Sequence, residues 1–167
     1  MELTFYIAAA VATAATFLVV VSRNAVHALL YLIVSFLALA TVFFVLGAPF
    51  AAALEVVVYA GAIVVLFVFV VMMLNVAEAE SAYRRLLAPG AWIGPSLLAL
   101  VLFVALVRAI LAGGFADPSL GEIESRMVGA VLYGPYLLAV ELAAMLLLAG
   151  FVGAYHLSRR ENEEERG

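Results

Sequence analysis

Residues 50–74 read FAAALEVVVYAGAIVVLFVFVVMML, an apolar run interrupted by a single charged side chain, that of Glu55. A bilayer core of about 30 Å needs about 20 apolar residues in helical form, so this run is long enough to cross it. Its apolar residues do not alternate with polar ones, as they do in the strands of a membrane β-barrel. A helix also satisfies each backbone polar group within its own segment. The stretch therefore predicts a transmembrane helix.

Four further apolar runs have a comparable length, at residues 3–21, 25–46, 91–112 and 136–157. Hydrophobic residues make up 68% of the 167-residue chain and charged residues only 12%, whereas about a quarter of a soluble domain is charged. A single hydrophobic core of a chain this long cannot bury so many apolar side chains. We expect an all-α, polytopic membrane protein whose five transmembrane helices form one domain over residues 1–157. A charged cytoplasmic tail, residues 158–167, follows it.

The connections between these runs differ in length. The stretches SRN (22–24) and GAP (47–49) are very short, which predicts that helices one and two form a tight antiparallel pair and that Gly and Pro end helix two. Residues 77–90 and 113–135 form longer polar connections. The second of these ends in MVGAVLYG (127–134), which is apolar but too short to cross the membrane and is expected at the membrane interface.

The arginines are unevenly divided between the two sides of the membrane that five crossings create. One side holds six arginines, while the other holds Arg126, with Arg108 near that end of helix four. Because cytoplasmic loops carry an excess of basic residues, we expect the C-terminus in the cytoplasm and the N-terminus outside. The six are Arg23, Arg84, Arg85, Arg159, Arg160 and Arg166.

The residue types that bind metals and cofactors are scarce. The chain has no cysteine, which excludes disulfides, thiolate metal sites and iron–sulfur ligation by this chain. Its two histidines, His27 and His156, lie far apart in sequence. No Gly-rich phosphate loop and no nucleophile constellation is present. We therefore expect no metal, nucleotide, flavin or nucleic acid to bind to this chain.

Two carboxylates lie within predicted spans, Glu55 in helix three and Glu141 in helix five. An ionisable residue within a span costs several kcal/mol and usually faces the bundle interior or a wet cavity. Both residues are therefore candidates for a proton path. Alternatively, each lies near the headgroups, or it makes a structural hydrogen bond with a partner subunit. The structural alternative weighs more for Glu141.

Helix three also carries a tyrosine and three small residues close to Glu55. Tyr59 follows Glu55 by four residues, which places both on one face of an α-helix. A phenol beside a carboxylate can relay a proton or order water, although an ordinary interfacial tyrosine is the simpler interpretation. Ala60, Gly61 and Ala62 follow. Such small residues permit either close helix packing or a π-bulge, which often marks a functional site, and spacing alone favours neither.

These residues lie in two longer segments with a specific pattern. Residues 24–75 place an asparagine before helix two with a histidine soon after, and then VYAGAI followed by LFVFVVMML. Residues 132–157 read LYGPYLLAVELAAMLLLAGFVGAYHL. Both segments resemble chain J of bacterial NADH-quinone oxidoreductase, the counterpart of mitochondrial NADH dehydrogenase subunit 6 in respiratory complex I. Ala139 and Val140 replace a Pro-Phe pair of the family's YLLPFELA-like stretch, which leaves Glu141 in place.

The resemblance implies a core membrane subunit of a proton-translocating enzyme complex in the bacterial inner membrane. The family's chain carries no redox centre, because other subunits bind FMN, iron–sulfur clusters, NADH and quinone. It packs beside chain K and near chains A, H and N. Its third helix carries a π-bulge at the positions of Tyr59 and Gly61 and changes shape to make or break a water-filled path.

The leading hypothesis is a subunit for the proton path and for coupling redox chemistry to pumping. The proton path is assigned to Glu55, Tyr59 and Glu141, and the gating distortion to Tyr59, Ala60, Gly61 and Ala62. Two alternatives stay open: a subunit of a membrane-bound hydrogenase or ferredoxin-driven relative, and a structural scaffold that only seals its neighbours. A stand-alone transporter is least favoured, because no internal repeat is visible.

Overall fold

The computed structural model describes residues 2–22, 24–74, 89–111 and 123–164. All regular secondary structure in these ranges is helical. The chain divides into two compact units, Met1–Glu124 and Ser125–Gly167. The class predicted from the sequence, an all-α membrane protein, is thereby confirmed.

The first unit begins with two long helices, α1 (Glu2–Val21) and α2 (Ala25–Val45). Asn24 starts α2, since its Oδ1 accepts hydrogen bonds from the backbone N–H groups of Val26, at 2.9 Å, and His27, at 3.4 Å. This satisfies donors that the first turn of a helix leaves free. The two helices pack against each other, as the short SRN connection predicts.

A tight turn ends α2 and starts the third spanning helix. Gly47 adopts a positive φ of 80°, a conformation that costs glycine little, and Ala48 donates a backbone hydrogen bond of 3.0 Å to the carbonyl of Phe43. Pro49 then occupies the first turn of α3 (Pro49–Leu54), where its missing N–H costs nothing. The third spanning helix continues as a π-helical segment (Glu55–Ile63) and α4 (Val64–Leu74).

The core of the first unit is built from small and branched side chains. Helix α5 (Pro89–Leu111) packs on both α1 and α2. Small residues let the backbones approach closely, which is how helices associate where lipid rather than water is the solvent. The buried cluster comprises Ala8, Val11 and Ala15 from α1, Val34 and Ala38 from α2, and Leu102 from α5.

The second unit contains a short helix, α6 (Ser125–Leu132), and a long one, α7 (Leu137–Glu164). Gly134 lies in the turn between them, where an added Cβ would approach the carbonyl oxygen of Ala130 to 2.7 Å. Any side chain at this position would therefore displace the turn. The apolar part of α7 ends at Leu157, but the helix continues to Glu164, into the charged stretch.

Four helices of the described ranges are long and apolar enough to cross a membrane: Glu2–Val21, Ala25–Val45, Pro49–Val71 and Leu137–Leu157. The fifth predicted crossing corresponds to α5, whose segment Trp92–Arg108 is a shorter apolar helix. Of the two long connections, residues 77–88 and 113–122 lie outside the described residues. The segment MVGAVLYG, expected to be too short to span, falls largely within α6.

Candidate functional site: a π-helical segment in the third spanning helix

The π-helical segment Glu55–Ile63 interrupts an otherwise α-helical span. At its end, the backbone N–H of Val64 donates to the carbonyl of Tyr59, five residues earlier, as well as to that of Gly61. A bond to the fifth preceding residue defines the π form, which is rare and frequent at functional sites. The distortion predicted for helix three is thus confirmed, and it extends over nine residues rather than one short bulge.

Gly61 is the position where this backbone form leaves least room. A Cβ built on Gly61 would lie 3.2 Å from the carbonyl oxygen of Val56, five residues earlier. That separation is tighter than an ordinary van der Waals contact, so a side chain would push against the π-helical backbone. Of the two small neighbours, Ala60 is half-buried and Ala62 is exposed.

Glu55, the first residue of the segment, is buried with 7% of its surface exposed. Its backbone N–H donates to the carbonyls of Ala51 and Ala52 in α3. At the other end, Val64 is 1% exposed. The π-helical segment therefore begins at a buried residue, Glu55, and is followed by a second buried residue, Val64.

Tyr59 has different surroundings, since 46% of its surface is exposed. Its ring contacts Phe36 of α2, with ring centroids 5.4 Å apart and planes inclined by 52°. Within the described residues, no hydrogen bond joins the Tyr59 hydroxyl to the Glu55 carboxylate. The segment holds both predicted residues in one wide helical stretch without a hydrogen bond between them, so a proton passing between them needs bridging water or a movement of the side chains.

Glu141 belongs to the second unit, in the second turn of α7, and its side chain is exposed there. No ion pair or hydrogen bond engages its carboxylate within the described residues of that unit. The described residues of the second unit therefore supply no partner for this carboxyl group, which lies within an apolar span.

One contact of the site, and one buried polar atom elsewhere in the first unit, were not deduced from the sequence. Phe36 is as far before the turn at residues 47–48 as Tyr59 is after it. Antiparallel packing of the two helices that this turn joins would therefore have predicted their contact. His27 has a buried Nε2 without a hydrogen-bond partner among the described residues. Nothing in the spacing of the sequence indicates this.

The residue types for metal ligation do not converge in the described ranges, where no group of three or more His, Cys, Asp or Glu residues could hold an ion. The polar groups of the π-helical segment are a carboxylate, a phenol and backbone carbonyls. Such groups can hold water and exchange protons. The chemistry that this site offers is therefore proton transfer.

The fold and this site define a class: a polytopic helical membrane protein with a distorted, carboxylate-bearing span. Comparison with known families makes the class specific. Residues 15–157 match the family model of NADH-ubiquinone/plastoquinone oxidoreductase chain 6. The chain belongs to this family.

Bacterial relatives are similar over nearly the whole chain. A protein of Pseudomonas aeruginosa named NADH-quinone oxidoreductase subunit J is 56% identical, over 98% of this chain and 100% of the relative. The Escherichia coli protein of the same name is 54% identical, over 99% of this chain and 90% of the relative. One from Rhodobacter capsulatus is 38% identical, over 96% and 82%.

Proposed function

We propose that this chain is a membrane-arm subunit of a proton-pumping NADH-quinone oxidoreductase in the bacterial inner membrane. Its family and the names of its near-full-length relatives support the assignment to this complex. The observation that carries the mechanism is the π-helical segment, which holds Glu55, Tyr59 and Gly61 within one membrane span.

The proposed mechanism has two parts. Glu55, Tyr59 and Glu141, together with buried water, carry protons within the membrane. The segment around Tyr59, Ala60, Gly61 and Ala62 switches between π and α forms and gates that path. A change from bonds over five residues to bonds over four rotates one part of a helix relative to the other. The switch therefore changes the direction of the Tyr59 hydroxyl relative to the Glu55 carboxylate.

The remaining components of the reaction are assigned to other subunits. FMN, the iron–sulfur clusters, NADH and quinone bind elsewhere in the complex, so this chain contributes to the enzyme without a redox centre of its own. Chains K, A, H and N are its proposed neighbours. We propose a cytoplasmic C-terminus and an external N-terminus.

Two substitutions test the mechanism separately. Tyr59→Phe removes the hydroxyl but keeps the ring contact with Phe36. Gly61→Val places a branched side chain against the carbonyl of Val56 and disfavours the π form. Overpacking of this kind costs about 1–3 kcal/mol, which would shift the balance between the two forms about 5- to 150-fold. Both variants are expected to lower NADH-driven proton uptake by membrane vesicles.

Controls come from positions with the same chemistry outside the π-helical segment. Tyr6→Phe removes the hydroxyl of an exposed tyrosine whose ring contacts Phe5, with centroids 5.5 Å apart. Gly129→Val adds a side chain where, in the part of the chain that the structure describes, nothing lies within 4 Å of an added Cβ. NADH oxidation by an artificial electron acceptor should stay unchanged in all four variants. Undiminished pumping in both Tyr59→Phe and Gly61→Val would contradict the mechanism and favour a purely structural role for the chain.

The kind of complex is tested by its composition. We expect the full-length chain, purified from its native membrane by an affinity tag, to bring with it flavin- and iron–sulfur-binding subunits of an NADH dehydrogenase. Mass identification of the partners checks this. A set of partners that contains a hydrogenase large subunit, and no NADH-binding subunit, would assign the chain to a membrane-bound hydrogenase instead.

A further inference from the structure

The ring of Phe36 in α2 contacts the π-helical segment from a neighbouring helix. Its centroid lies 5.4 Å from that of Tyr59, and the two ring planes are inclined by 52°. Aromatic pairs attract each other at centroid separations of about 4.5–7 Å, and this attraction adds to the effect of the apolar surface that they bury. Phe36 is half-buried, whereas Tyr59 is largely exposed. The contact therefore fixes one side of an otherwise exposed ring.

Helix α2 gives Phe36 a fixed position. Ser35, the preceding residue, is buried, and its hydroxyl oxygen lies 2.7 Å from that of Thr16 in α1. Val34 and Ala38 belong to the buried cluster between α1, α2 and α5. Consecutive residues of a helix point about 100° apart, so these residues hold α2 against its neighbours while Phe36 points toward the third spanning helix. A change within that helix would therefore move its side chains relative to Phe36.

The backbone of Tyr59 takes part directly in the difference between the π and α forms. Its carbonyl accepts a hydrogen bond from the N–H of Val64, five residues later. In the α form the same N–H would bond only the carbonyl of Ala60, four residues earlier. Val64 is buried and α4 packs on α2, so packing holds the far end of the segment. The switch would therefore turn Tyr59 about the helix axis and change the direction of its ring relative to Phe36.

We propose that Phe36 is a positioning residue that holds the Tyr59 ring toward α2 and thereby favours the π form. Loss of one aromatic contact shifts such a balance about two- to twelvefold. The phenyl ring has no group that exchanges a proton, so Phe36 acts only through Tyr59. This inference rests on the proposed function for its consequence in pumping, but the direction of the Tyr59 ring can be observed without any pumping.

Cryo-electron microscopy of the assembled complex tests the position of the ring. Phe36→Leu keeps an apolar side chain but removes the ring, whereas Phe36→Tyr keeps the ring. In Phe36→Leu we expect the Tyr59 ring to leave its position beside α2. The ratio of particles with an α-helical segment at residues 55–63 to those with a π-helical one should rise about two- to twelvefold. Phe36→Tyr should resemble the wild type. A Tyr59 ring that keeps its position in Phe36→Leu, or a ratio that does not change, would overturn the proposal.

Proton uptake per NADH oxidised by membrane vesicles is the second measurement. We expect it to fall about twofold or more in Phe36→Leu and to return to the wild-type value in Phe36→Tyr, because only the ring is needed. Phe17→Leu is the matched control, since Phe17 is an exposed phenylalanine of α1, and it should pump like the wild type. An equal loss in Phe36→Leu and Phe36→Tyr would indicate a packing role and overturn the proposal.

The two measurements separate this inference from the proposed function. A Tyr59 ring that moves in Phe36→Leu while pumping stays unchanged would support the positioning role and contradict the proposed gating. A loss of pumping with an unmoved ring would contradict the positioning role alone. If Phe36→Leu fails to assemble, Phe36→Met takes its place. Failure of both beside an assembled Phe36→Tyr would make Phe36 a residue required for packing and overturn the proposal.

Discussion

Gly94 lies where the backbone of α5 meets the side-chain hydroxyl of Tyr31 on α2. A Cβ added to this glycine would overlap the Tyr31 hydroxyl and come within 3.1 Å of Cζ. Pro95 follows inside the helix and is buried, and its missing N–H leaves one carbonyl of the preceding turn without its usual donor. The absence of a side chain at residue 94 therefore lets α5 approach α2 closely near its start.

We expect Gly94→Ala to destabilise the protein. Overpacking costs about 1–3 kcal/mol, and alanine regains about 1 kcal/mol over glycine in a helix interior. The net loss is therefore at most about 2 kcal/mol. Thermal unfolding of the full-length chain within its assembled complex measures this loss. Combination with Tyr31→Phe should recover part of it, because that change removes the overlapping oxygen.

Gly150→Ala is the control for this substitution. Gly150 lies inside α7, and no atom of the described residues lies within 4 Å of an added Cβ there. The same change should be neutral or slightly stabilising at this position. A Gly94→Ala variant as stable as Gly150→Ala would show that the contact with Tyr31 relaxes freely and does not constrain α5.

At the scale of the helices, hydroxyl groups join α1 and α2 within the membrane. Thr16 and Ser35 place their side-chain oxygens 2.7 Å apart, and each oxygen is also within hydrogen-bonding distance of the carbonyl of Ala12, at 2.8 and 3.3 Å. The two hydroxyl protons are shared among these three contacts. Interhelical hydrogen bonds in membranes contribute on average about 0.6 kcal/mol. Because the pair lies beside the small residues of the core, close packing contributes most of the stability and the hydroxyls fix the register.

The third spanning helix shows what the sequence can and cannot predict. Its length and apolar character follow from residues 50–74 alone, because lipid requires a helix there. The small residues around Gly61 are compatible with either a bulge or close packing. Only the resemblance to a family favoured the bulge. The hydrogen bond from the Val64 N–H to the Tyr59 carbonyl depends on how the whole helix packs. A local sequence pattern cannot predict that packing.

The surroundings of the candidate residues were less predictable than the helices. An α-helical spacing of four places Glu55 and Tyr59 on one face. In the structure Glu55 is buried, whereas Tyr59 is half-exposed and its ring contacts Phe36. Both residues lie in the π-helical segment, so a spacing rule derived for α-helices does not describe their relative directions. Participation of these residues and of Glu141 in proton transfer remains a prediction.

At the scale of the whole molecule, the orientation of the crossings decides on which side of the membrane Glu55 lies. Five crossings, as the sequence predicts, would put the two ends of the chain on opposite sides and divide the arginines six against two between those sides. Basic residues near the ends of spans are retained in the cytoplasm. Because the basic pair Arg159 and Arg160 follows the last apolar stretch, the end of α7 should lie on the cytoplasmic side.

Reporter fusions test this orientation in the native host. A fluorescent protein that matures only in the cytoplasm should be bright when fused after residue 167. A phosphatase that folds only outside the cytoplasm should be inactive there. The same two reporters fused after residue 120, in the connection before the last crossing, should give the opposite result, which controls for expression. Phosphatase activity at the C-terminus would invert the orientation and place the start of the third spanning helix, with Glu55, on the cytoplasmic side.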